Sequence, residues 1–323
     1  MSEDYPRTLI EFEKRFNSEA SCLDYLCEMR WPDGFVCPRC ASKAAWLTNR
    51  ELFHCRQCGA QTSVTAGSIF HGTRKPLILW FRAMWHLTGQ KYGANALGLQ
   101  RVLDLGSYNT AWQWLHKLRR AMVRPGRDLL AGTVEIDETY VGGKKPGKRG
   151  RGAAGKALVG LAVEDKGEEG IGRIRLVHLE DASSESLIPF VQGIVQSGST
   201  IRTDDWTGYR SLSEVGFDHV IQTSKELKLV HLVAALLKRW LLGTYQGAVR
   251  HSHLAYYLDE FTFRFNRRTS ASRGKLFYRL VQQAMMLDPV PAAALKGPAV
   301  PFLVGTENPN LDPIDDDRKK RGG

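Results

Sequence analysis

The chain has 323 residues, 43% hydrophobic and 24% charged, which excludes global disorder and leaves room for two or three domains. Lys and Arg number 45 against 34 Asp and Glu, a net charge of +11 that favours a polyanionic partner, nucleic acid before membrane. No apolar run reaches the roughly 20 residues that span a bilayer, and residues 1–16 lack an apolar leader core. The expectation is a cytoplasmic protein without a membrane partner, nucleoid-associated when bound to DNA.

Within residues 1–30, Leu9, Phe12 and Phe16, then Leu23, Tyr25 and Leu26, recur at helical spacing. All six cysteines precede residue 60. Cys22 and Cys27 fall inside the helical pattern and read as small buried hydrophobes. The other four form Cys37-Pro-Arg-Cys40, then 14 residues, then Cys55-Arg-Gln-Cys58. Each pair suits a tight turn that aims two thiolates at one tetrahedral ion, so residues 31–66 read as a zinc ribbon whose folding needs the metal. Ala45–Thr48 and Leu52–His54 are its predicted strands, and Gly59 follows the second turn, where a residue without Cβ bends most easily.

Residues 67–128 are predicted to be helical. Thr73 or a neighbour is placed to cap a helix with Pro76 in its first turn. Ala94–Leu103 and Ser107–Met122 form two more helices around a short Gly-containing turn, compatible with a helix-turn-helix. Ser107 is the candidate N-cap of the second, and Ala111, Leu115, Leu118 and Met122 line one face. Asn109, Gln113, His116, Lys117, Arg119 and Arg120 fall on its polar faces. They suit base edges and phosphates, with Lys117, Arg119 and Arg120 as candidate DNA contacts; the alternative is the solvated face of an ordinary helical hairpin.

From residue 129 the period changes. Strands are predicted at Gly132–Val141, Ala157–Val163, Ile171–Leu179, Ser199–Thr203 and His219–Gln222. Helices are predicted at Ser184–Gln196, Tyr209–Val215, Val230–Leu242, His253–Phe265 and Lys275–Met286. That order defines a mixed α/β domain over 129–287. Residues 288–323, rich in Pro, Ala, Gly and Asp, read as a disordered tail.

Carboxylates interrupt this domain where a core is expected. In Val134-Glu-Ile-Asp-Glu138, alternation puts Glu135 and Asp137 on one strand face and Val134 and Ile136 on the other. Thr203-Asp204-Asp205 ends a second strand in acid. A carboxylate in a buried strand is costly unless it is paired or binds metal, and carboxylates at the ends of adjacent strands suit magnesium or manganese. Helix capping and turn formation are the alternative roles. His231 and Lys238 lie seven residues apart, two turns along one side of a helix, with the small Ala234 and Ala235 between them.

These motifs resemble the ISXO-type transposases of bacterial insertion sequences. The likeness runs in order through residues 31–40, 65–71, 108–112, 134–143, 203–209, 237–245 and 257–268. It implies a zinc ribbon joined to a ribonuclease H-like DDE domain that cuts transposon ends and transfers them to target DNA. Asp137 and Asp204 take the first and second catalytic positions. The third, elsewhere Glu or Asn seven residues before a Lys, falls on His231, which makes this chain an Asp-Asp-His-Lys variant with Lys238. The resemblance implies magnesium or manganese held by Asp137, Asp204 and His231, with His231 a ligand or a general base. Lys238 would anchor a phosphate, and a homo-oligomer would assemble on DNA. The run 144–156 holds six basic residues and no acid, so Lys144, Lys145, Lys148, Arg149 and Arg151 are candidate phosphate contacts. Arg267 and Arg268, beside Arg264, form a second basic cluster. Its neighbours Phe261, Phe263 and Phe265 read as packing residues.

Overall fold

The structure is a computed structural model that describes residues 3–124, 126–142, 156–246 and 249–297. It divides into two compact units, Met1–Met122 with Thr269–Lys296, and a second built on Val123–Arg268.

In the first unit, α1 (Leu9–Arg15) and α2 (Glu19–Arg30) start at the hydroxyl caps Thr8 and Ser18. Three short strands follow, β1 (Ala45–Leu47), β2 (Leu52–Cys55) and β3 (Gln61–Ser63), in one antiparallel sheet. Then come α3 (Leu77–Gly89), α4 (Ala96–Val102) and α5 (Tyr108–Ala121), the last capped by Ser107 as predicted. Thr73 does not cap α3. Its hydroxyl accepts the Trp80 indole N–H at 2.9 Å, while Glu19 of α2 accepts the Leu77 and Ile78 N–H groups at 2.7 and 3.2 Å. A carboxylate at a helix start satisfies orphan donors and complements the dipole, so this charge ties two helices together.

Helix α9 (Arg273–Met286) was expected to close the α/β domain, yet it packs in the first unit. Phe277 is fully buried, with its ring centroid 5.4 Å from Phe12, 5.7 Å from Phe16 and 5.7 Å from Phe81. The aromatic cluster supplies the reason, because burying rings of this size outweighs proximity in sequence.

The second unit is a five-stranded mixed sheet in the order β6-β5-β4-β7-β8. Its strands are β4 (Thr133–Val141), β5 (Ala157–Asp165), β6 (Ile171–Leu179), β7 (Thr200–Thr203) and β8 (Asp218–Ile221). β4, β5 and β6 pair antiparallel; β4, β7 and β8 pair parallel. Alternation along β4 sorts its two faces. Val134 and Ile136 join a core with Phe190 of α6 (Ser184–Gln192) and Leu212 of the 3-10 segment Thr207–Val215. Val141 joins the opposite core, with Val230 and Leu237 of α7 (Lys228–Tyr245) and Leu258 of α8 (Leu254–Phe265). Helices thus cover both faces of the sheet, which explains why β5 is buried from Ala157 to Glu164. This is the ribonuclease H-like arrangement expected from the sequence, behind a four-cysteine ribbon.

Strand β6 ends the sheet. There the Asn266 side chain accepts the Ile174 N–H at 2.8 Å and donates to the Ile174 carbonyl at 3.1 Å. Arg268 donates to the carbonyls of Gly172 and Ile171.

Candidate active site and zinc-ligating cluster

The ribbon brings its four thiols together. Cys37, Cys40, Cys55 and Cys58 have sulfur atoms all within 4.8 Å of one another, with the Cys37–Cys58 and Cys40–Cys55 pairs at 3.6 Å. Tetrahedral zinc with bonds of about 2.3 Å needs sulfurs about 3.8 Å apart, so the cluster fits the ion. Backbone N–H groups of Cys58 and Gln57 lower the Cys55 thiol towards the thiolate that binds metal, while burial and the neighbouring thiols raise Cys40. Gly59 sits at φ +70, the left-handed bend expected after the second turn. The ribbon's own core is Phe35, Cys37 and Cys55, with Trp31 and Phe53 against it, too little to hold three short strands alone.

In the second unit, Asp137 and His231 meet, although 94 residues separate them. His231 Nε2 lies 3.0 Å from Asp137 Oδ2. Burial first, and then the Glu138 carboxylate, push the Asp137 carboxyl up to about 6 against an ordinary 3.8, and Asp204 adds to the rise. The β4–β7 ladder pairs Glu135 with Arg202. Asp137 and Asp204 each stand two residues further on, so Asp137 in mid-β4 lies level with Asp204, just past the end of β7. Asp204 Oδ1 accepts the Trp206 N–H at 3.1 Å, and the Trp206 indole donates to the Ala182 carbonyl at 2.7 Å. Gly208 completes this turn, since a Cβ there would stand 2.7 Å from that same carbonyl.

The buried strand carboxylate is resolved at Glu135. It is 3% exposed, and its Oε2 accepts the N–H groups of Leu229 and Val230, each at 2.9 Å. No side chain at the start of α7 caps that helix. Glu135 does so from β4, which sets His231, one residue beyond Val230, against Asp137. Glu138 points to the opposite face and accepts the Tyr209 hydroxyl at 2.8 Å. Burial and then that carboxylate hold the Tyr209 phenol well above its usual range. Lys238 lies exposed on α7, two turns beyond His231; burial of its stem lowers its ammonium pKa and Asp137 raises it. Asp205 is exposed.

Several predicted DNA contacts are placed otherwise. Arg119 is 1% exposed and donates to the Ala94 carbonyl at 3.1 Å, so it is a core residue of the first unit. His116 is also buried, with its ring 4.2 Å from that of Trp112. Lys117 is half-buried, which lowers its ammonium pKa, and Arg120 is likewise half-buried. Arg267 donates to the Phe263 carbonyl and stacks over the Phe263 ring, and Arg268 is held on the edge of β6. Arg267 is half-buried, while Arg268 remains exposed. Phe261 and Phe263 are buried as packing residues. Lys144, Lys145, Lys148, Arg149 and Arg151, and the tail from residue 298, lie outside the described residues. No helix is long and apolar enough to cross a membrane among the described residues.

The second unit is a ribonuclease H-like sheet with Asp137 and Asp204 on two adjacent parallel strands, in one chain with a four-cysteine ribbon. Residues 129–266 match the ISXO2-like transposase domain, and residues 17–61 the transposase zinc-ribbon domain. The chain is also 25% identical over 277 residues to a Halobacterium salinarum protein described as "Uncharacterized protein in transposable element ISH50". That alignment covers 78% of this chain and 92% of that protein. The chain thus carries an ISXO2-like transposase domain behind a transposase zinc ribbon, and over both it is similar to insertion-sequence transposases.

Proposed function

We propose that the protein binds the ends of an insertion sequence and catalyses metal-dependent 3′-end cleavage, followed by strand transfer into target DNA. The observation that carries this reading is the 3.0 Å approach of His231 to Asp137 beside Asp204. Two carboxylates and an imidazole suit magnesium or manganese, manganese better for the nitrogen ligand, and the neighbouring Glu138 adds negative charge that a divalent cation relieves. When bound, such cations activate the attacking hydroxyl and stabilise the leaving oxygen.

Asp137 and Asp204 hold the cation from the sheet, and His231 faces them from α7. Glu135 fixes the start of α7 and so positions His231. Lys238 holds a phosphate beside the scissile bond. The basic residues Lys144, Lys145, Lys148, Arg149 and Arg151 track the DNA backbone, as do the exposed parts of Lys117 and Arg120. Two ends must be cut together, so copies pair on DNA.

Incubation with duplexes carrying the element's terminal repeats and manganese is expected to release nicked ends; binding without any cleavage would sink the reading. A DNA-binding protein without catalysis is the second reading, favoured by the non-carboxylate at position 231. It expects Asp137→Asn to leave every biological effect intact. For His231, substitution by Glu is expected to retain or raise magnesium-supported cleavage. A shifted pH profile with no such gain identifies a general base instead.

A further inference from the structure

Beside the candidate active site, the second unit opens into a cavity of about 620 Å³. Lys238 forms part of its wall, and Leu241 and Leu242, one turn further along α7, continue that wall. Tyr140 and Val141 at the end of β4, with Val249, His251 and Leu254, line other parts of it. The lining is mainly apolar and, among the described residues, contains no acidic side chain. Leu242 is 67% exposed, a large apolar side chain left at the rim beside a cation.

This combination restricts the occupant. Phosphates alone gain nothing from leucine walls, and a stacked duplex offers no free base face to them. An occupant with a flat apolar body, hydrogen-bonding edges and a negative charge within reach of Lys238 matches every part. A single nucleotide has that form: its base suits Leu241, Leu242 and Tyr140, its edge can meet His251, and its phosphate suits Lys238. A volume of this size suffices for one nucleotide.

We propose that the cavity receives one nucleobase, turned out of the duplex next to the scissile phosphate of the bound DNA end. The proposal rests on Lys238 holding a phosphate of that end. Turning out the base costs stacking and pairing, and contact with the apolar wall offsets the cost. It also loosens the duplex at the phosphate that must enter the acidic site.

The test uses the full-length protein and terminal-repeat duplexes in which 2-aminopurine occupies, one at a time, each position near the scissile phosphate. Fluorescence is read on binding, before manganese is added. One position is expected to brighten severalfold with the wild type, and Leu242→Gln to lose most of that rise. Leu242→Gln should also bind the intact end about tenfold more weakly, the loss of one buried apolar contact. An abasic nucleotide at the bright position should erase that affinity difference. If no position brightens while gel shifts show full occupancy, or if the rise survives Leu242→Gln undiminished, the proposal is overturned. Cleavage on adding manganese to a complex that never brightened removes the cavity's role and leaves the transposase reading standing. Brightening without cleavage does the reverse, and failure to bind the ends at all overturns both.

Discussion

Glu135→Ala tests how the candidate active site is held together. Both bonds from α7 converge on one oxygen, and Val230 is fully buried, so its N–H has no route to water. Hydrogen bonds to a charged group contribute about 1.5–3 kcal/mol each, so two give about 3–6 kcal/mol gross. Removing a desolvated carboxylate and admitting water return part of this, leaving a net loss of about 3 kcal/mol. Glu135→Gln keeps an oxygen able to accept both bonds and loses only the charge facing the helix dipole, about 1 kcal/mol. The difference of about 2 kcal/mol corresponds to about 30-fold faster opening in Ala than in Gln. Amide hydrogen exchange over residues 229–231, followed by mass spectrometry on the metal-free protein, reads it directly. Equal protection in the two variants, or wild-type protection in both, would refute the role given to Glu135.

Three further outcomes follow from the same geometry. Asp137 is held up at about 6 in the folded chain against 3.8 ordinarily, so the native state binds its proton more tightly than the unfolded chain does. Its contribution to stability therefore falls as pH rises from about 4 to about 6 and stays low above that. Asp137→Asn should be more stable than wild type by up to about 3 kcal/mol at pH 7 without divalent metal, and should converge with it near pH 4; a gap that widens on acidification contradicts this. Chelation, or Cys55→Ser, should release the structural zinc and unfold the ribbon, read as red-shifted tryptophan emission and loss of strand signal; an unchanged spectrum after complete metal removal argues against a structural ion. Arg119→Ala should cost about 2–4 kcal/mol of stability and leave the salt dependence of DNA binding unchanged; a salt slope lower by about 1, with stability intact, would return Arg119 to the DNA interface.

What was legible in the sequence was local. Alternation in residues 134–138 sorted the two faces of β4, and Ser107 marked the start of α5. The cysteine spacing gave the ribbon. The charge of Arg119 points to solvent, yet it follows Leu115 by four and so borders the buried face of α5. Other departures hang on distant partners. Glu135 reaches 94 residues along the chain to α7, Arg268 reaches 97 back to β6, and Phe277 packs on Phe12. No local pattern announces such contacts. The one available signal was the expense of a buried carboxylate at Glu135, which required a partner without naming it.

The side chains along β6 carry a consequence for behaviour in concentrated solution. A nine-residue strand at a sheet margin offers unpaired amides and carbonyls to any other extended chain, the usual route to aggregation. Asn266 mimics a neighbouring peptide at Ile174, and Arg268 takes the carbonyls of Ile171 and Gly172. No further strand can add at those residues without displacing them. The opposite margin, β8, is only four residues long. Asn266 and Arg268 thus blunt this half of the margin against pairing with the sheet of another copy.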